Sequence, residues 1–145
     1  MAITSKWYGL AFSSAFSKKI DLTSDTVKVM LVTSSYTFDQ DAHQYKSSIT
    51  NEVTGTGYTA GGATLGSPTL TYTGATNTLA FDGADVSWTS ATLTARGAVA
   101  YDSTPGTDAT RPLLVYVDFG ADVPVTSGTL SLTWDAAGIC SVVVA

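Results

Sequence analysis

The chain has 145 residues, enough to bury a substantial core without metal or disulfide support. Charged residues make up 13% of it, about half the usual share of about 25% for a globular domain, and threonine is abundant in their place. The net charge of −5 leaves no basic face for nucleic acid, and Glu52 is the only glutamate among twelve acids, a balance that disfavours a mainly helical protein.

The N-terminal residues M-A-I-T-S-K-W-Y lack a basic region followed by an apolar run, so no signal peptide is expected. No segment reaches membrane-spanning length. Cys140 is alone and sits in an apolar run, so it reads as a small core residue rather than as a reactive thiol or metal ligand. Folding in a reducing cytosol follows as the expected setting.

Taken in chain order, Ser5 or Thr4 is placed to cap a helix over residues 6–19. Trp7, Tyr8, Ala11, Phe12, Ala15 and Phe16 recur at three- and four-residue spacing along one stripe. Lys18 and Lys19 suit the negative end of its dipole. Residues 21–25 form a turn, and 26–33 read as a strongly apolar strand, the best candidate for a central one. A short helix is predicted from Asp39 toward Ser48, with His43 as an exposed residue near its start. Residues 51–65, N-E-V-T-G-T-G-Y-T-A-G-G-A-T-L, then form a glycine-rich surface loop anchored by Tyr58.

The strand signals after it come at close intervals. Residues 69–73 and 78–81 form a hairpin around Gly74 to Asn77. Further strands are predicted at 86–88, 93–101, 113–119 (closed by Gly120) and 129–134, with 102–111 an exposed loop. Residues 139–145 are expected to pair back on 129–134 across the turn at 135–138. Seven or eight strands at this spacing imply one mainly β domain over 1–145, an antiparallel sandwich or barrel with one N-terminal helix.

None of the chemical motifs survives scrutiny. The glycine-rich stretch has no lysine, and Ala63 follows Gly62 where a phosphate-binding loop requires one. A dinucleotide loop needs a strand before it and a helix after it, and neither flank fits. Asp39, Asp41 and His43 follow no ligand spacing of a known metal site. The acids at 82, 85, 102, 108, 118, 122 and 135 mostly neighbour Gly, Pro or Ser, as turn residues do. Trp7, Trp88 and Trp134 lie in apolar-periodic segments, so packing explains them better than a sugar-binding platform. No enzyme, cofactor or metal is expected.

Six phrases are informative together: K-W-Y-G-L-A at 6–11, I-D-L-T-S-D-T-V-K-V-M-L-V-T-S-S-Y at 20–36, D-Q-D-A-H-Q-Y at 39–45, the glycine-rich 51–65, A-R-G-A-V-A-Y-D at 95–102 and W-D-A-A-G-I at 134–139. The set resembles a family of small virion proteins of tailed bacteriophages, some of whose members look like capsid decoration (cement) proteins. The resemblance covers almost the whole chain and carries no catalytic residues. It implies a structural protein on the phage head surface, made in the host cytoplasm, that contacts the major capsid protein or other virion proteins and self-associates. A tail or head–tail connector component and a carbohydrate-binding β-sandwich module are the alternatives. Helix 6–19 and loops 34–66 and 102–112 are the expected contact surfaces, with Trp7, Tyr8, Phe12, Tyr36, Tyr45, Tyr58 and Arg111 as candidate partner-contact residues.

Overall fold

The fold was analysed in a computed structural model that describes residues 3–145. Its elements are β1 (Thr4–Trp7), α1 (Gly9–Phe16), β2 (Val27–Val32), a 3-10 turn (Lys46–Ser48), β3 (Ala63–Thr64), β4 (Thr69–Thr73), β5 (Thr78–Asp82), β6 (Val86–Asp102), β7 (Leu113–Leu132) and β8 (Cys140–Val143). They form two antiparallel sheets, a large one in the order β1-β7-β6-β2-β3 and a small one in the order β4-β5-β8. The chain is mainly β with one helix, a sandwich-like arrangement rather than a closed barrel.

β-strand alternation sends neighbouring residues to opposite faces, and both faces of the large sheet are covered. Val29 and Leu31 of β2, Ala98 and Ala100 of β6, and Val115 and Val117 of β7 pack in a core that includes Phe81 of the small sheet. Met30, Val32, Val99, Tyr101 and Tyr116 point the other way and are covered by Tyr8, Ala11 and Tyr36. This two-sided burial explains why residues 26–33 read as a continuous apolar run.

The N-terminal segment departs from its predicted form. Thr4–Trp7 is a strand, paired antiparallel with β7 from Thr4↔Asp118 to Trp7↔Val115. The helix is limited to eight residues, and neither Ser5 nor Thr4 caps it. Tyr8 occupies the N-cap in an extended conformation without a side-chain cap, and Gly9 N–H donates to Gln40 O at 2.9 Å. The edge of β7 supplies ladder bonds that a helical turn at 4–7 would forgo. At the C-terminus Lys18 adopts φ +59°, with Lys18 N–H bonded to Ala15 O and Lys19 N–H to Ser14 O. That pair of bonds closes the helix as a glycine would, on a lysine. Ala11 and Ser14 are its buried positions, while Phe16 is 88% exposed.

Three further expectations are corrected. The predicted helix at 39–48 is a single Asp39-capped turn, with Asp41 and Ala42 N–H donating to Asp39 Oδ1, followed by the 3-10 turn. The four strands predicted across 86–134 are two long ones in a single hairpin, because bulges at Trp88/Ala91, Ala91/Leu93 and Ala95/Gly97 absorb the breaks expected at 89–92 and at Gly120. Residues 140–143 do not return to β7. The turn at Asp135 to Gly138 redirects the chain, and Cys140 pairs with Phe81 on the small sheet.

Candidate functional site

The glycine-rich stretch is a strap rather than a wandering loop. Its start bonds the outer edge of β2 through Thr33 N–H to Asn51 O and Val53 N–H to Leu31 O, and its end through Leu65 N–H to Val27 O. Between these points the backbone swings away and touches β6, where Thr92 N–H donates to Thr56 O. The excursion would leave Leu31 N–H without a partner, and the Tyr58 hydroxyl accepts it at 3.0 Å. That hydroxyl donates in turn to Glu52 Oε1 at 2.7 Å, which also accepts Gly61 N–H. Burial and the Glu52 carboxylate raise the Tyr58 pKa, so the hydroxyl stays protonated as the donor this network needs. Gly62, at φ +79°, lies so close to β2 that a Cβ would overlap the Val29 carbonyl. Tyr58 therefore anchors the segment as expected, and the glycines serve backbone approach to a strand instead of to a phosphate.

A second polar network lies under the opposite face of the large sheet. Tyr8 Oη and Tyr36 Oη are 2.8 Å apart, and Tyr36 Oη is 2.9 Å from His43 Nδ1. Phe38 stacks on Tyr116 at 4.8 Å beside them. His43 is thus half-buried and hydrogen-bonded, not an exposed helix-start residue. Burial pushes the Tyr36 hydroxyl up to about 12 and raises that of Tyr8 further. Both hydroxyls therefore stay protonated and are held in hydrogen bonds within the chain.

Among the described residues one acid is buried, Asp102 at the end of β6, with Oδ2 lacking a hydrogen-bond partner. Its Oδ1 accepts Thr104 N–H at 2.9 Å, which ties the 103–112 connection to the hairpin mouth. Burial raises its pKa, and the facing Asp25 carboxylate adds to the shift. The acids at 82, 118 and 135 accept nearby backbone N–H groups, as their turn-forming sequences imply. No group of three or more His, Cys, Asp or Glu that could hold a metal occurs among the described residues. No helix among them is long and apolar enough to cross a membrane.

A further surface feature is an apolar groove of about 760 Å³ between the N-terminal segment and the small sheet. Trp7, Phe12, Phe16, Ile20 and Leu22 form one wall, and Leu70 and Leu79 the other. It opens because β4 and β5 extend past the core: Phe81 is fully buried, whereas Leu70, its partner across the strands, is 47% exposed.

The seven candidate contact residues fall in four places. Trp7 and Phe12 meet in the groove, their rings 5.4 Å apart, and Trp7 Nε1 donates to Ser141 O. Tyr45 and Arg111 lie at the 102–112 connection, where Tyr45 bridges to Pro112 and Arg111 donates to Asp108 and to Pro105 O. Tyr8 and Tyr36 are core residues and Tyr58 is a strap anchor, so these three side chains are committed within the chain. Trp88 is buried as well, which removes it from any sugar-stacking platform. Sequence reasoning missed Ile20, Leu22, Leu70 and Leu79 as groove residues. Their apolar character was visible, but their convergence depends on how the small sheet docks.

No family model, characterised protein or solved structure matches this chain. Its own residues carry the functional reading.

Proposed function

We propose that this chain is a non-catalytic structural protein of a tailed-phage head, which seats on the outer capsid surface and stabilises the shell. The observation that carries the reading is the apolar groove with Phe16 at its rim, 88% exposed. A single exposed aromatic is ordinary, but Phe16 continues an apolar groove lined by Phe12, Ile20, Leu22 and Leu70, and a contiguous patch of that kind marks a docking surface; covering the ring contributes about 1.5–3 kcal/mol. Repeated over many copies, one such contact per subunit reinforces a shell without any bond chemistry. The polar networks described above are all internal and hold loops in place, which suits a rigid adaptor. The resemblance of the six sequence phrases to small virion proteins implies the partner, the major capsid protein or another virion protein, and the outer shell is the surface the test below addresses.

The test is co-sedimentation of the purified chain with head shells that lack it, using the wild type and Phe16→Asp. Wild type should pellet with the shells and raise the temperature at which they rupture. Phe16→Asp should stay in the supernatant with an unchanged circular-dichroism spectrum. Wild-type protein that remains in the supernatant, together with a capsid exterior bare of its density in the intact virion, would sink the reading.

A further inference from the structure

Sheet edges invite pairing with other chains, and proteins ordinarily shorten, cover or charge them. Among the described residues two of the four edges are managed in those ways and a third, β8, in part, since Val143 remains 64% exposed. β3 has two residues, β1 carries the exposed Lys6, and β8 lies beside Trp7, whose indole donates to Ser141 O at 3.1 Å. β4 has none of these protections. It pairs only with β5, all five of its residues are exposed, and the sequence from Val53 to Phe81 contains no charged residue.

We infer that β4 is the edge through which two copies of this chain pair, antiparallel about a two-fold axis at Thr71. The register follows from the strand itself, T-L-T-Y-T, whose polar and apolar pattern reads the same in both directions. With Thr71 opposite its counterpart, Leu70 of each copy faces Tyr72 of the other, and Thr69 faces Thr73. Leu70 and Tyr72 share the face of their partners Phe81 and Leu79, and they are 47% and 54% exposed. Pairing covers both with aliphatic–aromatic cross-strand contacts and sets threonine against threonine on the other face, the combinations that stabilise antiparallel ladders. A one-residue slip would oppose Leu70 to Thr71 and forfeit both sets.

Electrostatics do not oppose pairing at this edge. A chain of net charge −5 repels its own copy, and the stretch from Val53 to Phe81 adds no carboxylate to the contact. A two-fold contact uses the same patch on both copies and closes, so the product is a dimer and not a fibre. Leu70 also lines the groove beside Phe16, so pairing at β4 covers part of that wall, and the measurement below reads the dimer alone without reference to a capsid.

Sedimentation velocity on the full chain tests it, with Thr71→Lys and Thr71→Asp as variants. Thr71 is exposed, so either charge leaves the monomer intact but opposes its own copy at the axis. Wild type should rise with concentration to twice the 15.0 kDa chain mass, and each variant alone should stay at 15.0 kDa. An equimolar mixture of the two should regain the doubled mass, because Lys then faces Asp. As a readout independent of the charged variants' folding, Thr71→Cys with Cys140→Ser should cross-link to a covalent dimer on oxidation. A wild type that remains at 15.0 kDa up to its solubility limit overturns the proposal, as does a Thr71→Lys variant that stays dimeric. A mixture that stays monomeric, or a Thr71→Cys variant that fails to cross-link, overturns it equally.

Discussion

Replacing Asp102 by Asn should stabilise this protein at neutral pH, and the gain should vanish in acid. The carboxyl is fully buried at the hairpin mouth, one of its oxygens has no hydrogen-bond partner, and Asp25 faces it. Burial first, and then the neighbouring carboxylate, raises its pKa in the folded chain. The folded state therefore holds this proton more tightly than the unfolded state. The stability contributed by that proton is fully present below the unfolded pKa of about 3.9 and is lost as pH rises through the higher folded value. At neutral pH the wild type has to bury a carboxylate beside that of Asp25 or take up a proton that the unfolded chain does not hold, at a cost of about 1–3 kcal/mol. Asparagine keeps the acceptor for Thr104 N–H, presents an amide donor toward Asp25 and never ionises. For a chain of this size the gain corresponds to a Tm increase of about 3–10 °C. Calorimetric melts of both proteins at about pH 4 and about pH 7.5 measure it, with the difference confined to the higher pH. An equal Tm difference at the two pH values, or a lower Tm for Asp102→Asn at the higher one, would refute the account.

Two further predictions concern the internal networks. Gly62→Ala should cost about 2–5 kcal/mol in urea unfolding, since the left-handed backbone disfavours a Cβ and the Val29 carbonyl occupies its space. Gly106→Ala, with nothing within 4 Å of its Cβ, serves as the control and should lie within about 0.5 kcal/mol of wild type. Equal stabilities for the two variants would mean that the strap does not lie on β2 as described. Tyr36→Phe removes both bonds of the shared hydroxyl and strands Tyr8 Oη and His43 Nδ1, so a loss of about 1–3 kcal/mol is expected. In a double-mutant cycle, Tyr8→Phe with Tyr36→Phe should cost less than the sum of the single changes, and strict additivity would show that the hydroxyls are not coupled.

Much of the strand content was legible because alternation and turn chemistry are local. The hairpin at 69–81 formed as its threonine alternation and Gly74 to Asn77 turn implied, with Tyr72 opposite Leu79. The apolar run at 26–33 became a strand buried on both faces. At the N-terminus the same residues satisfied two periods: Trp7, Tyr8, Ala11 and Phe12 fit a helical stripe, but Thr4–Trp7 also fits strand alternation. The β7 edge decided between them. Bulged strands likewise look broken in sequence, since Ser90 and Gly120 are turn residues that a long ladder accommodated.

Composition and pattern by themselves determined a mainly β chain with one helix, an acidic surface and glycines without the lysine of a phosphate loop. These are properties of neighbours along the chain. Which edges remained open, which tyrosines entered the core and where Asp102 lost its solvent were decided only by tertiary structure. The strap over β2 and the return of β8 to β5 join residues far apart in sequence, as Trp7 and Ser141 are joined across the groove end. Long-range pairing depends on which partners are already taken, and no local period records that. The groove beside Phe16 and the bare edge at Thr71 both arise from that competition.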